Sequence, residues 1–293
     1  METALITMAR WLLIFVAALL ASQPACATLV VLAPSADGLV VAADSRISFL
    51  GAECDGQFKI VEPSRPARTV AMVTGDAIFV PPPPAGEREL CGYLKSAPRL
   101  LDIGEVVRRY LEHEASGAGE FSLEALGREC VAAADRFAQA NPGALQAYAG
   151  REIFSVIVAG YDPRRRTATL RNFVVRMDSA TRRIETGRMT TITVGTADRR
   201  GVWIYGESGY VEANVLSGLG RKYLDAATLD FILTAAPVAE APLSRAVAAA
   251  VNVINAASRT TVTLPAPSGI GGSVNVVLVG RKRRPEPISA TAQ

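Results

Sequence analysis

Hydrophobic residues fall along this chain in short, dense runs separated by turn-forming residues. Residues 28–36 and 39–43 are apolar runs joined by Asp37-Gly38. Asp-Gly between such runs predicts a hairpin, because the tight turn needs positive φ, where glycine costs least. Neither run alternates polar with apolar: LVVLA and LVVAA are apolar throughout, as in strands covered on both faces. A third strand is predicted over 69–74, ending at Gly75-Asp76. The run Pro81 to Pro84 favours an extended, exposed segment.

Two helices are predicted next. Asp102 and Glu105 have capping-box spacing, and Ile103, Val106, Val107, Tyr110 and Leu111 form one apolar face. The second runs over about 122–140 and stops at Asn141-Pro142-Gly143. Strands return at 153–160, 167–177 and about 189–194. Helical stretches follow near 209–219, 229–235 and 243–257, and a last strand is predicted at 273–280. Hairpin-clustered strands with helices between them predict an α+β fold. Two stacked antiparallel sheets with helices outside each, a four-layer αββα sandwich, account for the fully apolar strands. One domain over 28–280 suffices, and the basic residues after it, 281–293, read as a disordered C-terminal tail.

The first 27 residues look different. Trp11 to Ala21 is an apolar run preceded by Arg10. It falls short of the roughly 20 apolar residues a bilayer-spanning helix needs, but has the length of a signal-peptide core. Ala25-Cys26-Ala27 supplies a small-x-small cleavage site. Met8 is an alternative start. A lipoprotein reading would use Cys26, but Gln23, Pro24 and Ala25 lack the aliphatic residue such a site carries. Cleavage after Ala27 makes Thr28 the first residue of an exported chain. Three cysteines then remain, and in an oxidising compartment one pair can be bridged. Cys54 with Cys91 is one arrangement, since both sit in loop-like sequence while Cys130 lies in a helical pattern; three buried thiols is the other.

Composition narrows the chemistry. Charged residues at 20% and hydrophobic ones at 49% exclude a disordered chain, and a net charge of +3 gives no footprint for nucleic acid. The sole histidine, His113, rules out a multi-histidine metal site and sits beside two glutamates on a helix that reads as a solvated face. Gly269 to Gly272 precede a strand, so a phosphate loop is not expected. No metal or organic cofactor is implied. A threonine at a new N-terminus needs no histidine: its α-amine, of pKa ~7.7–8.0, can take the hydroxyl proton while the oxygen attacks a carbonyl. Asp44 ends the second strand, which returns near Thr28, and can act as counterion to Lys59. A lysine beside the nucleophile lowers the amine's pKa and stabilises the ionising hydroxyl.

The block TLVVLAPSADGLVVAADSR resembles the mature N-terminus of proteasome β subunits and related bacterial ring peptidases, threonine-dependent members of the N-terminal nucleophile hydrolase superfamily. By that resemblance Thr28 is the nucleophile, Asp44 and Lys59 its electrostatic partners, Arg46 part of the strand-end motif, and Gly75 the backbone donor to an oxyanion. Val156 to Asp162 resembles the family's central strand and Gly271 to Val276 its last. Of the family's Asp and Ser before Gly271-Gly272, the Asp is absent and the Ser is displaced, to Ser268; a further family serine corresponds to Ser208. The Pro81 to Pro84 insertion lies where the family's first helix begins, beside its subunit-packing surface. The resemblance implies the same αββα fold and a peptide, unfolded-chain or small-amide substrate. It also implies a homo-oligomeric ring or part-ring, with no ATP-driven unfoldase expected outside the cytosol. A non-catalytic binding or assembly protein, or an acylase of small amides, is the alternative.

Overall fold

The computed structural model describes residues 23–24, 28–64, 67–115, 121–194, 202–233, 241–264, 269–282 and 284–288. Most of the expected leader, and Ser268, lie outside the described residues. Among those described, two five-stranded antiparallel sheets stack face to face. One has the order Ile184–Val194, Thr167–Met177, Glu152–Asp162, Thr69–Gly75, Ile60–Val61; the other has Trp203–Gly206, Leu29–Ser35, Gly38–Asp44, Val274–Gly280, Glu286–Pro287.

The apolar strands are apolar because both their faces are covered. From Leu29–Ser35, the side chains of Val30 and Leu32 meet Met72, Ile157 and Leu170 of the opposite sheet. Leu29, Val31 and Ala33 pack on the helix Leu243–Thr261. That helix turns Ala246, Ala249, Ala250 and Ala257 inward, and such small residues let its backbone approach the sheet. On the far side, the helices Ile103–Ala115 and Leu123–Ala140 cover the other sheet through Val107, Leu111, Leu126 and Phe137. The layers are helix, sheet, sheet, helix, as the sequence predicts.

Helix starts follow local chemistry. Asp102 Oδ1 accepts the Glu105 N–H at 3.0 Å, and Ser122 Oγ accepts that of Ala125 at 3.1 Å, each satisfying a donor that the first turn leaves open. Pro81 to Pro84 are extended, and the Tyr93 hydroxyl holds them through the Pro81 and Pro82 carbonyls. His113 is exposed, as expected.

Several expectations need correction. The hairpin turn is Ala36-Asp37, one residue earlier than Asp37-Gly38, and Gly38 already pairs with Ser35. Glycine at position 38 is required instead by the last strand: a Cβ there would lie 2.4 Å from the Val279 carbonyl oxygen. The strand predicted at about 189–194 begins at Ile184, its first half hidden by the polar residues of a half-exposed edge. The tail expected to be disordered contributes the edge strand Glu286–Pro287, paired with Val277 and Leu278.

Further short elements went unpredicted. Ile47–Phe49 and Ala52–Cys54 form a small hairpin, and Gln23–Pro24, Ile78–Val80 and Leu101–Asp102 form a three-stranded ribbon. The helix Leu90–Ser96 joins this outer region, where Ile47, Phe49, Val80, Leu94 and Ala97 make a separate core. Cys54 and Cys91 are bridged and Cys130 is a buried free thiol. Of the two arrangements left open by the sequence, the bridged one is formed. The bridge spans 37 residues, so by the chain-entropy account Cys91→Ser lowers unfolding free energy by roughly 2–4 kcal/mol. Urea denaturation of oxidised wild type against the variant measures this.

Candidate active site

The site forms where the ends of three strands and two loops meet. Asp44, the last residue of its strand, is fully buried. A buried carboxylate must replace its water shell with donors, and Asp44 does so completely. Its Oδ1 accepts the Leu29 N–H and Lys59 Nζ, both at 2.7 Å. Its Oδ2 accepts the N–H groups of Gly271 at 3.2 Å and Arg46 at 3.3 Å.

Lys59 is 6% exposed. Burial pushes its ammonium below the ordinary lysine value, against the pull of the Asp44 carboxylate. Its loop is set by Ser45, a residue the sequence analysis did not single out. The Ser45 carbonyl accepts the Gln57 N–H at 3.0 Å, its Oγ accepts that of Gly56 at 3.3 Å, and the same Oγ meets Ser273 Oγ at 3.1 Å.

Thr28 is 4% exposed, and its Oγ1 donates to the Val73 carbonyl at 3.4 Å. The next residue, Leu29, is gripped by Asp44, and the Thr28 carbonyl accepts the Glu207 N–H at 3.2 Å. Gly206 (φ +81°) lies so close that a Cβ would stand 1.9 Å from the Thr28 carbonyl oxygen. This contact also escaped the sequence analysis, because it is made by backbone. Gly75 has φ +81°, and a Cβ there would meet the Ile153 carbonyl oxygen at 2.7 Å. Thr28, Lys59 and Gly75 together line a cavity of about 480 Å³, along with Ile47, Val73, Ala77 and Arg99.

The structure therefore brings Thr28, Asp44, Lys59 and Gly75 to one place. Arg46 joins them by its backbone, while its side chain turns outward to Glu53 and Asp55 and packs against Gly271. Ser208 starts the short helix Ser208–Tyr210, two residues beyond Gly206. In the full-length chain the Thr28 nitrogen is an amide and carries no basic lone pair. Hydroxyl, ammonium and counterion are nonetheless in place.

The bonds around Asp44 are unequal in what their loss exposes. Lys59→Met leaves the carboxylate with its three backbone donors. Asp44→Ala strands a buried ammonium and those same N–H groups, so it costs about 3–5 kcal/mol, and Lys59→Met costs less than half as much. Urea midpoints of the two variants compare them. Because Lys59 loses its proton more readily folded than unfolded, the unfolded chain holds more protons between its two pKa values. Stability contributed by this group rises with pH there, and Lys59→Met abolishes the rise.

No protein-family model matches the chain, and no curated protein does. Solved structures similar to it include the Anbu (ancestral beta-subunit) of Yersinia bercovieri, 14% identical at a TM-score of 0.46, over 90% of this chain and 88% of that one. Another is a Gly-1 mutant of Anbu from Hyphomicrobium sp. strain MC1, 14% identical at 0.45, over 91% and 90%. The helical assembly of the Anbu complex from Pseudomonas aeruginosa is 15% identical at 0.47, over 90% and 88%.

Proposed function

We propose that this protein is an exported threonine-type hydrolase of peptide or amide bonds, its nucleophile exposed when the leader is removed before Thr28. The observation that carries the reading is the convergence of Thr28, Lys59 and Gly75 on one cavity, with Asp44 tying Lys59 to the residue next to Thr28. Once Thr28 is terminal, its amine accepts the Oγ1 proton as the oxygen attacks the substrate carbonyl. The Gly75 N–H stabilises the resulting oxyanion. The proton passes to the departing amine, and water then hydrolyses the ester left on Thr28. Lys59 supplies fixed positive charge, and Asp44 is its counterion.

Export is supported by the Ala25-Cys26-Ala27 junction immediately before Thr28 and by the Cys54–Cys91 bridge, since such bridges persist in oxidising compartments. A homo-oligomeric ring or part-ring is part of the proposal. It would cover Leu219, Leu233 and Val262, large apolar side chains left exposed on the outer helical layer. The second reading, a binding or assembly protein without turnover, is favoured by one feature: no acidic residue lies between Thr260 and Gly271.

Intact-mass analysis of exported protein, before and after a threonine-directed electrophile, separates the two. The hydrolase reading expects a chain starting at Thr28, a single adduct on it, and no adduct with Thr28→Ala or Lys59→Met. A different first residue, or an adduct that persists without Thr28, defeats it. Protonating the amine removes the base, so kcat/KM rises with pH. Positive charge at Lys59 places the midpoint below the ~7.7–8.0 of a free α-amine, as a pH–rate profile on a fluorogenic peptide amide will show.

A further inference from the structure

A second cavity, of about 700 Å³, opens at the other end of the strand Thr69–Gly75. Gly75 belongs to the candidate active site and Thr69 to this hollow. At about 3.3 Å per residue the two stand roughly 20 Å apart. The floor of the hollow is the outer face of the sheet, past the cover of the helices. Ala71, Val158 and Phe173 pack in the core beneath those helices. Side chains on one face recur every second residue, so the same face runs on into Thr69, Gly160, Arg171 and Thr169, which line the hollow. Thr69, Gly160, Thr169 and Thr193 lie side by side across four strands. Gly160 has an ordinary strand backbone, and the nearest atom to a Cβ there would be Thr69 Oγ1 at 3.6 Å, a normal contact. Its missing side chain answers to no turn or clash; it leaves the floor open.

Three arginines surround this floor: Arg68 at its edge, Arg165 in the turn above it and Arg171 on the floor itself. Arg68 and Arg171 are half-buried and are held without a carboxylate. Arg68 Nε donates to the Arg281 carbonyl at 3.1 Å. The Arg171 guanidinium lies over the Phe121 ring, 4.9 Å from its centroid, just before the helix Leu123–Ala140 begins. Among the described residues neither forms an ion pair. Arg165 has an 83% exposed side chain and stands 3.8 Å from Asp162 Oδ2. Asp162 is the one acid lining the hollow, and its Oδ1 is taken by the N–H groups of Arg164 and Arg165 at 2.8 and 3.3 Å. The whole-chain charge of +3 conceals this local excess of three cations over one anion. Gathering like charges is unfavourable, and an arriving anion relieves it.

We propose that this hollow is a binding site for a phosphate-bearing anion, held by Arg68, Arg165 and Arg171 over the threonine hydroxyls of the floor. Donors reach it from the edge, the turn and the floor, which suits the tetrahedral oxygens of a phosphate better than the two coplanar oxygens of a carboxylate. Guanidinium forks match phosphate oxygens in pairs. The volume admits more than a single phosphate group, so pyrophosphates and phosphate esters or diesters are the ligand class. A free phosphate compound and the headgroup of an anionic phospholipid share that chemistry. The site shares no residue with the candidate active site, so it stands whether or not the hydrolase reading does.

The test titrates pyrophosphate into the protein by calorimetry at fixed ionic strength, and sediments the protein with vesicles of phosphatidylglycerol or of phosphatidylcholine. Arg68→Met, Arg165→Gln and Arg171→Met are each expected to raise Kd by at least about tenfold, the scale of one charge-assisted hydrogen bond. Arg171→Lys keeps the charge without the fork and should recover part of the loss. Gly160→Val fills the floor without changing charge and should also weaken binding. Thr28→Ala should bind as wild type does. Arg164→Gln, in the same turn but outside the hollow, is the control for general surface charge, and Arg165→Gln, on a side chain so exposed, leaves the fold intact. Pyrophosphate binding with this pattern upholds the proposal with a soluble phosphate as ligand. The same pattern seen only with phosphatidylglycerol vesicles upholds it with a lipid headgroup. Binding of neither, or binding that Arg164→Gln weakens as much as Arg165→Gln does, overturns it.

Discussion

The carboxylate of Asp44 is the interaction on which the rest of this molecule's candidate chemistry depends. A fully buried anion survives only where donors converge on it, and here they come from four separate parts of the chain: Leu29, Arg46, Lys59 and Gly271. Two strands, the loop after the small hairpin and the turn before the last long strand are thereby held in register at one point. The same bonds set the distances among the groups that would act on a substrate. Stability and function therefore share a node, and the loop carrying Lys59 has little freedom to drift without uncovering a charge.

Much of the sandwich is legible in the sequence, because its central strands carry apolar residues on both faces and only a sheet buried on both sides asks for that. Ser122 and Asn141 mark the ends of their helix by capping and by breaking it. What escapes is short or held from outside. The helix Leu90–Ser96 shows no periodicity over its seven residues and is fastened by Cys91. Trp203–Gly206 is a four-residue strand, too brief to stand out from its surroundings. The turn was misplaced by one residue because Gly38 answers to the strand Val274–Gly280, far away in sequence, and not to its own hairpin.

The candidate site divides the same way. Thr28, Asp44, Lys59 and Gly75 are identifiable from residue types in a familiar order. Gly206 acts through backbone contacts and Ser45 through backbone and hydroxyl bonds to a loop, which residue types do not announce. Ile47 of the cavity wall belongs to the small core it forms with Phe49, Val80, Leu94 and Ala97, separate from the three clusters of the sandwich. Changes in that wall can alter what enters the cavity while leaving the layers, and the Asp44 node between them, undisturbed.

The close approach of Gly206 to Thr28 has a consequence for any chain cut at that residue. New termini ordinarily fray, since nothing holds the last residue from its free side. Here the Glu207 N–H and the Gly206 backbone seize Thr28 from its carbonyl side, and Asp44 fastens the next peptide unit. None of these grips draws on the bond before Thr28. Severing that bond would leave the vice closed, so a Thr28 made terminal by such a cut would be immobilised from the outset.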